Sequence, residues 1–543
     1  MKKISSFLIA FLFLSCGNRQ SEKSINLIPE TASLTPSYWC TWGTQNYASD
    51  STTLKNAVWG INGHYNQANH LTQEAIFGEN GWAYFIPEVS KDLYIMFDVG
   101  WDIPSGINFN DSRWMLGSLE LAQDKFPDCT GTPAERLKKL NQMCIDHGWK
   151  GAGIWVAAHP AVKNPAENLT RQEIEDYYRE RFNWSREAGI EYWKVDYGTF
   201  GDEHWFRKML SDLSRETNSK VVVENARNSA PTNDYECPWD IDIYHETGKF
   251  VEWGNGSVLE TTAKTIGYSD AFRTYDVTAH LSIPTTLDRT AQQLAVSSEV
   301  KENDCILNTE DEMYIGAALG CAIGIMRHPQ WMELKGNNYD PFDARKKITE
   351  IVRAVRWQRI APAFGVGAAP VQLDDNYLTD SWQFEKGDTW ASWFDGRVVM
   401  QKAPARVARG MDLPDVVSEG EVPYVIASRH PNGAVAVATL PRISTDKILY
   451  YPIAVVTVDY LVAEFPIGIF GKYETLVLNF SNLPENFSVY AQDLAVDKAI
   501  NITQDIEIQN NRLIIAGDLI EKIGTEANRT DDLSEPGLVL KIK

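Results

Sequence analysis

Residues Glu191–Gly198 read E-Y-W-K-V-D-Y-G. Apolar and β-branched residues lead directly to one carboxylate, Asp196, and then to a small-residue turn. A buried parallel strand has this texture when it ends at the mouth of a barrel and presents an acid there. Taken alone, Asp196 also fits a cap on the following helix. It equally fits a partner for Lys194, two residues earlier on the same strand face. The flanking sequence decides among these readings.

On both sides of this stretch the chain alternates between buried strands and amphipathic helices. Tyr38–Trp42 reads as a first strand, Leu93–Asp98 as a second, Gly151–Ala157 as a third, and Glu191–Asp196 as a fourth. Lys220–Glu224 (K-V-V-V-E) reads as a fifth and Ala271–Asp276 as a sixth, with later elements around Gly316–Met326. Thr132-Pro133-Ala134-Glu135 is a capping box with Pro at the first helical position. Leu137, Leu140, Met143 and Cys144 follow at helical spacing, and Gly148 closes that helix. Thr170-Arg171-Gln172-Glu173 repeats the device, and Gly189 ends the second helix. Each helix runs at once into a strand, which implies a parallel sheet with right-handed crossovers. About eight such units predict an α/β fold, a (β/α)₈ TIM-type barrel, over residues 36–364. An open doubly wound sheet is the alternative, but no G-x-G-x-x-G follows an early strand.

Beyond Phe364 the texture changes. Gly365–Gln372 is a connection containing Gly, Ala and Pro, and short alternating runs follow. These are Trp390–Trp393, Val398–Met400, Ala434–Thr439, Tyr473–Asn479, Phe487–Ala491, Arg512–Ile515 and Leu538–Ile542. Turn pairs such as Asp395-Gly396 and Asn432-Gly433 separate some of them. Residues 365–543 are expected to form a C-terminal all-β sandwich.

Composition narrows the function. The 543 residues exceed what one core usually holds, so two or three domains are expected. The net charge of −22 lacks the basic stripe of a nucleic-acid partner. Aromatic residues make up 11%, with 18 Trp, which suits stacking on sugar faces as well as filling cores. Lys2 and Lys3 precede the apolar run Ile4–Leu14, which is too short to span a bilayer. With Cys16 after a small residue, residues 1–16 resemble a bacterial lipoprotein signal with Cys16 as the lipidated first residue. Residues 17–35 would be the tether, so an exported, membrane-anchored protein is expected, periplasmic or at the cell surface. Cys40, Cys129, Cys144, Cys237, Cys305 and Cys321 are irregularly spaced, leaving room for one or two disulfides in an oxidising compartment. There is no H-E-x-x-H, the nine His are scattered, and neither a metal nor a cofactor is expected.

Acids stand at the ends of several expected strands: Asp98, Asp196, Glu224 and Asp276. Cleaving a glycosidic bond needs two carboxylates flanking the anomeric carbon. Asp276 follows Asp196 by 80 residues, about two β-α units, and so makes the best pair with it. Arg273, beside Asp276, can bind a sugar hydroxyl. Lys194 would favour the ionised form of Asp196 if their shared face lines the site.

These residues form a series that resembles clan D glycoside hydrolases, the α-galactosidase-like families 27 and 36. Tyr38–Trp42 is similar to their opening W-N-S-W strand, and Phe97-Asp98-Val99-Gly100-Trp101 to their D-D-G-W. Lys125-Phe126-Pro127, the helix from Thr132 and Gly153-Ile154-Trp155-Val156 are similar to their F-P…helix…G-L-W-V segment. Tyr192–Tyr197 resembles the nucleophile strand, Y-x-K-x-D, and Phe272–Asp276 the segment that carries the acid/base. The order holds from about residue 36 to 290.

The resemblance implies a retaining, exo-acting glycosidase acting on an oligosaccharide or polysaccharide, with a β-sandwich after the barrel. Asp196 would be the nucleophile and Asp276 the acid/base. Asp98 and Lys194 would hold ring hydroxyls, Trp42 or Trp101 would wall the sugar pocket, and Trp155, Glu224 and Arg273 would complete the binding set. Several positions depart from the pattern. Val99 replaces a second Asp, Ala157–Pro160 lacks the usual acid, and Glu224–Arg227 lacks the usual turn. The stretch Asn228–Tyr268 is long. The sugar is therefore open between galactose and its C6-lacking relative, β-L-arabinopyranose. A transglycosidase and a non-catalytic surface glycan-binding lipoprotein are the remaining alternatives.

Overall fold

In the computed structural model, the described residues are 25–48, 67–107, 113–162, 168–201, 203–227, 256–274, 282–328, 347–383, 396, 398–446 and 449–543. Cys16 with its leader, Cys237, Tyr275, Asp276 and the run Trp390–Trp393 lie outside them.

Eight parallel strands close into a barrel in sequence order. They are β1 (Tyr38–Cys40), β2 (Tyr94–Phe97), β3 (Gly151–Val156), β4 (Tyr192–Val195), β5 (Val222–Arg227), β6 (Ala271–Thr274), β7 (Ile306–Glu310) and β8 (Ala322–Ile325). Closure is made by β1 against β8, where Tyr38 pairs with Gly324. A Cβ at Gly324 would lie 2.7 Å from the Tyr38 hydroxyl, so the seam needs glycine there. The expected (β/α)₈ barrel is thus present.

Local chemistry sets the helices that follow the strands. Helix α1 (Thr41–Ala48) begins where the sequence had suggested that β1 continues. The Asp98 N–H donates to the Thr41 hydroxyl at 2.9 Å, and Thr41 donates to Gln45 at 2.7 Å. At Gly43 a Cβ would fall 1.8 Å from the Met326 carbonyl oxygen. The W-C-T-W alternation is therefore broken after Cys40, and the chain turns over the end of β8.

Helices α2 (Pro133–Asp146) and α3 (Arg171–Ala188) both carry the expected capping boxes, and α3 ends on left-handed Gly189. At the start of α3, the Glu173 N–H donates to Thr170 Oγ1 at 3.3 Å, and Glu173 accepts the Thr170 N–H at 2.7 Å. Thr170→Ala should lower stability by about 1 kcal/mol, the usual cost of losing a side-chain cap. Chemical denaturation of the variant beside wild type checks this.

Past α4 (His204–Glu216), α5 (Gly256–Ile266), α6 (Ser282–Ser297), α7 (Met313–Leu319) and α8 (Thr349–Ile360), the chain becomes mostly β. An eight-stranded sheet has Tyr424–Arg429 and Val435–Leu440 near its middle, joined by a hairpin through Asn432-Gly433. Both strands bury nearly every residue, because one face packs on the barrel helices and the other on a second, five-stranded sheet. The expected all-β region departs in one element, the amphipathic helix Gly517–Gly524, whose Ile520 and Ile523 join the sandwich core.

Charged groups also cross from barrel to sandwich. Arg353 of α8 is enclosed and donates to both carboxylate oxygens of Asp493 at 2.9 Å. The described cysteines Cys40, Cys129, Cys144, Cys305 and Cys321 are buried free thiols, so the disulfides considered from sequence do not form among them. No helix among the described residues is long and apolar enough to cross a membrane.

Candidate active site

The barrel interior is layered. Tyr38, Tyr94 and Tyr192, the first residues of β1, β2 and β4, fill its lower part and pack in one cluster with Met96 and, toward the strand ends, Cys40 and Met326. The three tyrosine rings pack edge-on or tilted. Above them lies Glu224 of β5, completely enclosed. It accepts hydrogen bonds from Tyr38 at 3.0 Å, Tyr192 at 2.8 Å and Asn308 at 2.6 Å. A carboxyl group so surrounded is a buried structural group whose oxygens are satisfied by its neighbours. Glu224 was expected among the residues that reach a sugar. The structure instead places it beneath the mouth, with its acceptor sites occupied by the barrel.

In register with Glu224 on the neighbouring strand, Lys194 of β4 pairs with Asp98 at the end of β2, 2.8 Å apart, with side chains only 3% and 4% exposed. The Cys40 thiol donates to the same Asp98 oxygen at 3.1 Å, and the Val99 N–H donates to the other at 2.8 Å. Burial pushes the Asp98 carboxyl up, but the charge and hydrogen bond of Lys194 outweigh it, and the group is held below its usual range. Burial and Arg273 both work against a charged Lys194. The carboxylates of Asp98 and Glu310 and the Cys40 thiol overcome them, and the ammonium is held above its usual range. Both groups are therefore charged at neutral pH. The expectation that Lys194 would be the partner of Asp196 is replaced by a closer pairing with Asp98.

Asp196 follows β4 immediately, and its side chain is 15% exposed, more than any other member of this cluster. Its backbone is pinned on two sides. The Asp196 N–H donates to the Val156 carbonyl at 3.0 Å, and the Ala158 N–H donates to the Tyr197 carbonyl at 2.9 Å. Arg207 of α4, fully buried, donates to the carbonyls of Val195 at 3.1 Å and Asp196 at 3.0 Å. Gly198 completes the turn, since a Cβ there would lie 2.6 Å from the Ala158 carbonyl carbon. The carboxylate itself accepts the Trp155 indole N–H at 3.1 Å. Arg273 of β6 lies 3.9 Å from the same oxygen. The helix-cap reading of Asp196 does not apply: α4 begins at His204, with Glu203 as its flanking residue.

The aromatic residues divide. Trp155 aims its N–H at Asp196 and packs beside Tyr197, with ring centroids 5.4 Å apart. Trp42 lies in the first turn of α1, half-buried, between the lower tyrosine layer and an apolar group of Val99, Ile103, Leu116, Trp155 and Ala157. Trp101 was expected as a pocket wall. It is completely buried and donates its indole N–H to the Trp155 carbonyl at 2.9 Å, so it braces β3 from behind.

Two residues were not anticipated. Arg207 fixes the turn that carries Asp196, and nothing in H-W-F-R-K marks it as special. Glu310, the last residue of β7, forms a close ion pair with Arg273. Its strand, I-L-N-T-E, ends on an acid as K-V-V-V-E does, a signal that was available. The site thus brings together Asp98, Lys194, Asp196, Trp155 and Arg273 of the expected set. Asp276 lies two residues beyond β6 and outside the described residues.

No protein-family model matches the sequence, and no curated protein does. Solved structures with a similar chain path include an assigned α-galactosidase from Bacteroides fragilis, 12% identical, covering 93% of this chain and 78% of that one, with a TM-score of 0.39. The family 27 β-L-arabinopyranosidase of Geobacillus stearothermophilus is 9% identical, with coverage of 94% and 96% and a TM-score of 0.38. An assigned α-N-acetylgalactosaminidase from Bacillus halodurans is 12% identical, with coverage of 95% and 99% and a TM-score of 0.36. The fold assignment stands on the strand pairing described above.

Proposed function

We propose that the chain is a retaining, exo-acting glycoside hydrolase of α-galactosidase-like type. The observation that carries this reading is the Asp196 carboxylate: half-buried at the end of β4 and the most accessible acid of its cluster, oriented by Trp155, and held by the turn behind it. A nucleophile needs this combination of access and fixed direction. In the first step, Asp196 attacks the anomeric carbon as the bond to the leaving oxygen breaks, and Asp276 gives that oxygen its proton. In the second, Asp276 takes a proton from water, which attacks the anomeric carbon and releases the Asp196 carboxylate. Asp276 takes this role from its sequence position after β6. The Asp98–Lys194 pair supplies a charged acceptor and donor at the floor, suited to ring hydroxyls.

Val99 stands where the resembled pattern has a second acid, which leaves β-L-arabinopyranose, galactose without its C6 carbon, as a second reading for the sugar. A transglycosidase would share the covalent step. Export and membrane anchoring through a lipidated Cys16 are part of the proposal and rest on the Lys2–Cys16 segment.

The test is a panel of aryl glycosides with α-galactosyl, β-L-arabinopyranosyl, α-N-acetylgalactosaminyl and α-glucosyl groups, with the first-formed sugar followed by NMR. Hydrolysis of one member with retained configuration is expected; inversion, or glycan binding without turnover, would overturn the reading. Asp276→Ala should lose about two to four orders of magnitude on poor leaving groups. It should lose far less on dinitrophenyl glycosides, which need no protonation. Equal losses on both would remove Asp276 from the acid/base role.

A further inference from the structure

Among the described residues, three carboxylates lie around Arg273. Its Nη1 forms the close pair with Glu310, its Nη2 lies 3.9 Å from Asp196, and its Nε lies 3.9 Å from Glu224. Arg273 and Glu224 are completely enclosed, and Glu310 is 3% exposed. A guanidinium able to reach the half-buried carboxylate beside it could close on it as a bidentate pair. That carboxylate is Asp196, and the contact observed there is long. A nucleophile masked by a tight Arg pair would have to break it before attacking carbon. One held at a longer distance from the cation stays free to attack.

We propose that Glu310 is a positioning residue that anchors Arg273 away from Asp196 and so keeps the nucleophile unmasked. The proposal rests on the reading of Asp196 as nucleophile. Glu310 sits on β7, next to β6, where Arg273 pairs in register with Asn308. Both ends of the anchor are therefore fixed by the sheet. Glu224 is engaged by Tyr38, Tyr192 and Asn308, and Glu310 makes the closest carboxylate contact to Arg273 among the described residues.

The groups facing Glu310 are Arg273 from β6, Lys194 from β4, Glu224 from β5, Tyr38 from β1, and Asp196. Burial first, then Glu224 and Asp196, push Glu310 up to about 7 against the pull of Arg273 and Lys194. Above that pH the anchor is charged. As pH falls through it, Glu310 is neutralised, Arg273 turns to Asp196, and turnover drops.

The experiment compares wild type, Glu310→Gln, Glu310→Asp and Asp196→Ala on the aryl glycoside that wild type hydrolyses fastest. Glu310→Gln should lose about a hundredfold in kcat, the scale of a small misplacement at a reacting centre, with KM little changed. It should also lack the fall in rate through neutral pH that wild type shows, because its anchor is absent at every pH. Glu310→Asp, with the charge on a shorter arm, should show that fall displaced along the pH axis, at an intermediate kcat. Wild-type kcat in Glu310→Gln overturns the proposal, as does a lowered kcat with the wild-type pH profile. Should Glu310→Gln fail to fold, Glu310→Asp carries the test: a displaced pH limb supports the anchor, and an undisplaced one contradicts it. Activity retained in Asp196→Ala would instead overturn the nucleophile assignment itself, so the two failures are distinguishable.

Discussion

Asp196→Ala is expected to abolish turnover, by about four to six orders of magnitude, the scale seen when a nucleophile is removed. The loss should appear with every aglycone, because no leaving group repairs the absence of an attacking atom. Around the vacated carboxylate, Trp155 Nε1 and the Arg273 guanidinium remain in place, 3.1 Å and 3.9 Å from where Oδ2 stood. These donors line a space suited to a small anion. Added azide should therefore restore activity on dinitrophenyl glycosides and give a glycosyl azide of inverted configuration. A rescued product of retained configuration would mean that another carboxylate performs the first displacement.

Lys194→Met is the second large effect. It leaves Asp98 buried with only the Cys40 thiol and the Val99 N–H as partners. Breaking a buried pair from one side typically costs about 3–5 kcal/mol, because the remaining charge has no compensation. The urea midpoint of the barrel should fall accordingly, and affinity for the sugar should fall with it. Adding Asp98→Asn should recover much of the stability and none of the activity. An unchanged midpoint in Lys194→Met would show that the pair is solvated, contrary to its enclosure.

The barrel was legible where its strands are apolar on both faces. Gly151–Ala157 sits between barrel interior and helices, so both alternate positions are apolar and the run stands out; in Glu191–Asp196 the Tyr192, Trp193 and Val195 positions do the same around Lys194. The capping boxes at Thr132 and Thr170 were equally readable, because they satisfy helix ends through neighbours three residues apart. β7 was not: in I-L-N-T-E the inward positions are Asn308 and Glu310, which serve a buried polar network. Such a strand has too few apolar residues to announce itself. The same logic explains Glu224 and Trp101. An acid or an indole at a strand end looks alike in sequence whether it faces the mouth or the packed interior. Only the cross-strand partners, Tyr38, Tyr192 and Asn308 for the one and the Trp155 carbonyl for the other, decide it. Arg207 is farther from reach, since its role is to bind main-chain carbonyls, which carry no residue signature.

The sugar's identity depends on a balance that residue types alone leave even. Val99 removes an acid, while the Asp98–Lys194 pair keeps a charged floor. The panel experiment reads this balance directly through the ratio of galactosyl to arabinopyranosyl turnover.

The central claim is that Asp196 forms the covalent bond to the sugar. A cyclophellitol-type aziridine, matched in configuration to the glycoside that the enzyme hydrolyses, is opened by the catalytic carboxylate to a stable ester. Peptide mass spectrometry of the labelled protein should place that ester on Asp196, with labelling lost in Asp196→Ala and retained in Glu310→Gln at a reduced rate. An ester on Asp98, Glu310 or any other carboxylate, or no ester in a preparation that turns over the matching glycoside, would contradict the account.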